Sequence, residues 1–331
     1  MAADLNLHRC ITKMPHTKRE CYERTRLYFL VYICDQHCSL IYGRPPITRE
    51  YRSLESPKAF LQSRFCTPED VKLIGQVDVW SISNRVFDIF GADTDASITT
   101  QRAAALESLG AAYDKWRGDL RDSISDDLDD LTREMIDLYA HCGKLYLFSH
   151  TFRGSSQRQT RSLATSKGME KFERRALESA LSIVQGVIWG SETRQRLEHL
   201  PSSFVTMIAF ASVSLIKASG QEPTVRGFDK NEAFQSLNEL VKVFRACSAR
   251  VHTQHPLLSV AKSLEIAMKK CCPVDVDHFH SWDTADDLDS TLFAFNGVGN
   301  DPFALNCPGD HDNFLPNPND FGFDFFGHTS P

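Results

Sequence analysis

Four aspartates lie close together in the sequence, at Asp126, Asp127, Asp129 and Asp130. Carboxylate oxygens are the ligands that Mg²⁺ prefers, and a cluster of this kind in a helical protein can hold the cation on a diphosphate. A second interpretation is structural. The acids precede and begin a helix predicted over residues 128–152, where the helix dipole favours negative charge. We favour the structural interpretation.

The ten cysteines do not have the spacing of a zinc site. No pair is separated by two residues, and Cys34 and Cys38 lie within an apolar helical run, so we expect buried thiols in a reducing compartment. Asp275, Asp277, His278 and His280 lie near Cys271 and Cys272. No second group of ligands with the spacing of a zinc site accompanies them in the sequence. Nucleophile-elbow and nucleotide-binding glycine motifs are also absent. The sequence therefore predicts no catalytic, metal or cofactor site, and no enzyme.

Charge is unevenly distributed along the chain. The segment from Cys271 to Pro331 contains eleven aspartates and no lysine, arginine or glutamate, whereas residues 1–270 carry a net charge of +5. In the body the basic residues alternate with acidic ones, and no basic stripe with interleaved aromatics is present. The composition therefore indicates a mildly basic body and an acidic tail, without a nucleic-acid surface of its own.

The first 270 residues are patterned as successive helices. Helices are predicted over 17–42, 67–91, from Ser97, and over 128–152, 168–190, 202–218, 229–252 and 256–272, with a polar loop at 154–166. The longest apolar stretch, 204–216, is too short to span a bilayer, so no membrane partner is expected. The predicted fold class is all-α, a multi-helical, solenoid-like bundle.

The sequence changes character after Lys270. Prolines and polar residues predict a largely disordered tail over 273–331, yet this tail contains nine phenylalanines. Acidic residues keep aromatic side chains solvated, so the rings could dock in coactivator grooves. The alternatives are incidental phenylalanines or a tail that packs on the body. The candidate activation residues are Phe293, Phe295, Phe321, Phe323, Phe325 and Phe326.

Two segments resemble the regulatory region of fungal zinc-cluster (Zn2Cys6) transcription factors, also called the middle homology domain. Residues 23–46 are similar to its "ER-R-W-LY-D…GRP" motif, and residues 200–217 are similar to a later "P…F…FAA..LLK" helix. The Asp70–Asp88 stretch, with Trp80, resembles members grouped with the regulators of leucine biosynthesis and secreted proteases. The positions that match are Arg24, Asp35, Gly43, Arg44, Pro45, Pro46, Pro201, Phe204, Phe210, Ala211 and Lys217.

This resemblance implies a helical regulatory domain over 1–272, truncated at its N-terminus, in a nuclear regulator of a fungal pathway such as secondary metabolism. It implies coactivators or the transcription machinery as partners, and DNA contact only through a missing zinc module or a partner. One alternative is a modulator without DNA contact that dimerises with a full-length zinc-cluster factor. Another, from a different class, is a Mg²⁺-dependent terpenoid enzyme that uses Asp126–Asp130, although the second motif of such enzymes has only an imperfect counterpart at residues 231–239.

A truncated helical body should leave apolar surface uncovered. We expect this surface around Leu5, Leu7, Leu27, Phe29 and Leu30.

Overall fold

In the part of the chain that the computed structural model describes there are ten α-helices and two short 3₁₀ segments. The residues that it describes are 17–41, 46–48, 57–91, 100–124, 129–152, 163–220, 225, 227–247, 249–253 and 255–271. The α-helices are α1 (Lys18–Ile41), α2 (Pro57–Leu61), α3 (Pro68–Phe90), α4 (Thr100–Ser123), α5 (Asp130–Ser149), α6 (Leu163–Trp189), α7 (Ser191–Gln195), α8 (Ser202–Gly220), α9 (Lys230–Cys247) and α10 (Pro256–Cys271).

The predicted all-α, multi-helical fold is confirmed, and no strand occurs within the described ranges. Helix boundaries follow local chemistry. Thr67 precedes α3, Pro68 occupies the first helical position, and Glu69 and Asp70 lie in the first turn, where proline and acidic residues are favoured. For α4 the apolar spacing predicts a buried stripe at Leu106, Leu109, Tyr113, Trp116 and Leu120; the first four are buried and Leu120 is half-buried.

Successive helices pack against one another from α3 to α6, and α5 and α6 form the most extensive pair. Helix α8 lies at the centre, in contact with α1, α5, α6, α9 and α10. By length and apolarity α8 could cross a membrane. However, 14 of its 19 residues are buried among neighbouring helices, which is typical of a core helix.

Glycines permit the closest helix contacts. A Cβ atom on Gly143 of α5 would lie 2.2 Å from Cε1 of Tyr113 on α4, and one on Gly75 of α3 would lie 2.6 Å from Leu120 Cδ2. A larger residue at either site would force a neighbour to move, since protein interiors are close-packed. Gly143 in particular lets the fully buried Tyr113 ring lie directly against the α5 backbone.

Several predicted details were wrong. The sequence pattern missed α2, placed the start of α6 five residues late, and extended the helix after residue 229 to 252, whereas α9 ends at Cys247. The buried residues of α3 include Leu73, Ile74, Val77, Val79, Trp80 and Val86, which do not form a single stripe. This helix is buried on more than one side because α1, α4 and α5 all pack on it.

The expected uncovered surface is present in part. Leu27 is 46% exposed and Leu30 is half-buried, but Phe29 is only 3% exposed. Phe29 is covered because its ring makes an edge contact with Phe60 of α2, with the ring centroids 5.3 Å apart. Leu5 and Leu7 lie outside the described residues.

Candidate functional site

The aspartate cluster begins α5. Asp129 is the N-cap: its carboxylate accepts the Thr132 N–H at 2.8 Å and the Thr132 hydroxyl at 2.7 Å. The same carboxylate lies 3.2 Å from Lys72 Nζ of α3, and Asp130 pairs with Arg133. Burial opposes ionisation of Asp129, but the bonds from Thr132 and Lys72 lower its pKa overall. These contacts support the capping interpretation; Asp126 and Asp127 lie outside the described residues.

The second acidic motif considered for a diphosphate enzyme lies on α9, where its carboxylates also have protein partners. Glu232 accepts a hydrogen bond from Gln185 Nε2 at 3.0 Å, and Glu239 pairs with Lys242 at 2.6 Å. Within the described ranges no group of three or more His, Cys, Asp or Glu side chains is arranged to hold a metal ion.

A buried polar cluster joins α1 to α3. The fully buried carboxylate of Asp70 accepts hydrogen bonds from the Tyr22 hydroxyl, from Arg26 Nε at 2.9 Å and from the Thr67 N–H at 2.8 Å. Burial alone would raise the pKa of Asp70, but these three donors together lower it below the usual value. A buried charge held in this way fixes the position of α1, which contains the first family-like motif.

Within that motif, Asp35 connects α1 to the segment that follows it. Its carboxylate accepts the backbone N–H of Thr48 at 2.5 Å, so Thr48 lies beside the C-terminal half of α1. Arg24 is half-buried on the same helix. Gly43, Arg44 and Pro45 lie outside the described residues. Asp35 therefore ties the residues that follow Pro46 to the helix.

The second family-like motif lies on α8 and just before it. Phe204 is buried and makes an edge contact with Tyr139 of α5, with ring centroids 4.8 Å apart, and Ala211 is fully buried. Pro201, Phe210 and Lys217 are half-buried. Because α1 and α8 are in contact, the structure brings together two motifs that are about 180 residues apart in the sequence. The helical parts of the two motifs thus lie on neighbouring helices of the body.

The sequence did not reveal the hydrogen bonds that buried polar side chains form between helices. Tyr32 on α1 accepts from Asn84 Nδ2 on α3 at 2.8 Å, and Trp116 Nε1 on α4 donates to the Gly75 carbonyl at 2.8 Å. The available signal was the presence of tyrosine and tryptophan within apolar stripes, because such residues usually find a polar partner when buried. The identity of that partner depends on the tertiary arrangement.

The tail residues and the cysteines singled out in the sequence add no catalytic site, and no metal site of three or more ligands, within the part of the chain that the structure describes. The candidate activation residues Phe293, Phe295, Phe321, Phe323, Phe325 and Phe326 lie outside the described residues, as do Asp275, Asp277, His278 and His280. Six of the cysteines within the described ranges are free thiols: Cys21, Cys34, Cys38, Cys66, Cys142 and Cys247. Burial raises the pKa of Cys142 and of Cys34, which makes both poor nucleophiles.

Comparison with known proteins finds one informative relative. The chain is 26% identical to the transcriptional activator of proteases prtT of Emericella nidulans over 295 residues, which is 86% of this chain and 43% of that protein. The chain thus spans less than half of the relative's length. No protein-family model and no solved structure matches the chain.

Proposed function

We propose that this chain is the regulatory part of a fungal transcription activator. The observation that carries the proposal is the similarity to an activator of proteases, which extends over 86% of the chain and hence over most of the helical body. The structure adds physical support, because the two family-like motifs lie on helices that contact each other. The described polar clusters serve as helix caps and helix–helix ties, and so give no independent reason to propose an enzyme.

We further propose that the activator belongs to the zinc-cluster class and acts in the nucleus. The resemblance at residues 23–46 and 200–217 supports this assignment, together with the name of the relative. The body would hold regulatory contacts, while DNA would be reached through a zinc module or a partner chain. The genomic sequence upstream of the Met1 codon tests this directly: an in-frame six-cysteine motif supports a zinc-cluster factor, and a verified start site without one supports a modulator that dimerises with a full-length factor.

Two classes of target genes follow from different observations. The name of the relative favours genes for proteases, whereas the wider family also includes regulators of pathway-specific clusters such as those of secondary metabolism. Transcript profiling after deletion of the gene separates these targets. Loss of transcripts for secreted proteases would support the first, and loss of one contiguous biosynthetic cluster would support the second.

The acidic tail is the proposed activating segment, through binding of coactivators or the transcription machinery. We expect residues 273–331, fused to a heterologous DNA-binding domain, to activate a reporter gene. Replacing Phe321, Phe323, Phe325 and Phe326 with alanine should remove the signal, because docking in a coactivator groove depends on buried aromatic area. Replacing the same four residues with leucine is the matched control and should retain part of the activity. A silent wild-type fusion would contradict activation by the tail.

A further inference from the structure

Two cysteines of α1 lie one helical turn apart. Cys34 and Cys38 are separated by four residues, so their side chains follow one another along the same side of the helix. Both are free thiols, and both are half-buried. Burial raises the pKa of Cys34, and the neighbouring Cys38 thiol raises it further, as expected for two thiols that lie close together. The helix therefore presents two soft ligands at a fixed spacing.

The backbone that carries this pair is held in place by contacts close to it. The Tyr32 hydroxyl accepts a hydrogen bond from Asn84 of α3 at 2.8 Å. The Asp35 carboxylate, directly after Cys34, accepts the backbone N–H of Thr48. Both contacts hold the helix in its regular form, so the spacing between the two side chains decides which chemistry is open to the pair.

That spacing suits a bridging metal ion better than a disulfide. Side chains four residues apart on an α-helix have their Cβ atoms about 5–6 Å apart, whereas the Cβ atoms of a disulfide are only about 3.8 Å apart. A disulfide would therefore require α1 to unwind. A metal ion that joins two thiolates in line separates the sulfur atoms by about 4.6 Å, at about 2.3 Å for each metal–sulfur bond. Rotation about χ1 brings the two sulfur atoms to this distance without moving the backbone.

The number of ligands indicates which metal ion fits. His37 lies between the two cysteines in the sequence, but its ring makes an edge contact with Trp80 of α3, with the ring centroids 5.4 Å apart. Across the described parts of the chain, no three His, Cys, Asp or Glu side chains are grouped to hold a metal. Structural Zn²⁺ takes four ligands. Thiolates also select the softer Cu(I), and two sulfur atoms in line complete the coordination of that ion.

We propose that Cys34 and Cys38 form a two-coordinate Cu(I) site on α1. Binding breaks two S–H bonds and forms two Cu–S bonds; both protons pass to solvent, and no electron is transferred. The bound ion joins successive turns of the helix that contains the first family-like motif. The site does not depend on whether the chain activates transcription, so the two proposals succeed or fail on separate experiments.

Anaerobic competition for Cu(I) tests the site in the full chain. The probe is Cu(I) held by bathocuproine disulfonate, whose colour is lost as the protein withdraws the ion. Other thiols, such as the adjacent Cys271 and Cys272, also take Cu(I), so the measurement is a difference between variants. Cys34→Ser and Cys38→Ser should each withdraw one equivalent fewer than the wild type. Cys21→Ser, which removes another half-buried thiol of α1, is the matched control and should withdraw as much as the wild type.

A rescue variant separates chelation from damage to the fold. In Cys38→Ser/Val31→Cys the two thiols are again on the same side of α1, now three residues apart, so the lost equivalent should return. Cu(I) should also raise the melting temperature of the wild type and of the rescue variant more than that of Cys38→Ser, because a ligand that binds the folded state stabilises it. The proposal is overturned if Cys34→Ser withdraws as much Cu(I) as the wild type, or if the rescue variant stays one equivalent short. Peptide mapping after mild oxidation adds a third check, since a Cys34–Cys38 disulfide would contradict the spacing on which the site depends.

Discussion

Arg26 of α1 and Asp70 of α3 are joined by a hydrogen bond of 2.9 Å, and the Asp70 side chain is fully buried while that of Arg26 is 41% exposed. The bond links the helix that contains the first family-like motif to the helix that follows it, across 44 residues of sequence. Tyr22 and Thr67 supply further donors to the same carboxylate. One aspartate thus serves both as the first-turn acid of α3 and as the anchor of α1.

Replacing Asp70 with asparagine should lower the free energy of unfolding by about 2–3 kcal/mol at pH 7. The substitution removes the buried negative charge that accepts hydrogen bonds from Arg26, Tyr22 and Thr67. The pKa of Asp70 is lower in the folded than in the unfolded protein. Its stabilising contribution is therefore present above the unfolded pKa of about 3.9 and is lost as the pH falls through the folded value.

Urea denaturation at several pH values measures both effects. The difference between wild type and Asp70→Asn should shrink below about pH 4, the unfolded carboxyl value. Asp119→Asn serves as the control, because Asp119 pairs with Lys115 on the surface and should contribute at most a few tenths of a kcal/mol. Equal effects of the two substitutions would argue against the anchoring role of Asp70.

Replacing Gly143 with alanine should destabilise the protein by about 2–3 kcal/mol, because the added methyl group would overlap the buried Tyr113 ring. Gly118→Ala is a matched control in the interior of α4, where an added Cβ meets nothing within 4 Å. That substitution should stabilise the helix by about 0.5–1 kcal/mol. Thermal denaturation of both variants tests the close approach of α4 and α5, and changes of the same sign would contradict it.

The helices themselves were largely predictable from the sequence, whereas the contacts between them were not. Thr67-Pro68-Glu69-Asp70 is a local signal that acts within one turn, so it fixes the start of α3 in any tertiary context. The partnership of Asp70 with Tyr22 and Arg26 depends on how α1 packs on α3. Helix α2 was missed because five residues are too few to show a period. Trp80 was missed as a core residue because α3 is buried on several sides and does not follow a single stripe.

At the aspartate cluster, too, the local contact was predictable from the sequence and the long-range contact was not. Its position at the start of a helix indicated capping, and Asp129 indeed bonds to Thr132. The ion pair with Lys72 is formed across 57 residues and has no sequence signature. The positions of the family-like motifs on α1 and α8 were predictable from the residue pattern, but the contact between these helices depends on the long-range return of α8 to the centre of the bundle.

Replacing Asp129 with alanine should destabilise the protein by about 1 kcal/mol, since the N-cap of α5 is removed. Asp130→Ala, at an exposed pair with Arg133, should change stability by less than about 0.5 kcal/mol. Adding Mg²⁺ should not change the melting temperature of the wild type. A Mg²⁺-dependent rise that disappears in Asp129→Ala, together with release of pyrophosphate from a prenyl diphosphate, would instead support the enzymatic alternative.

Replacing Thr48 with proline should release the segment after α1, because proline lacks the N–H that Asp35 accepts. We expect trypsin to cleave faster after Arg49 and stability to fall by about 1–2 kcal/mol. Thr48→Ser retains the N–H and should behave as wild type. Asp35→Ala removes the same bond from the other side, so the double variant Asp35→Ala/Thr48→Pro should be no more sensitive than the worse single variant. Additive effects would show that Asp35 and Thr48 stabilise the protein through separate contacts, and that the GRPP segment is held to α1 by something other than their hydrogen bond.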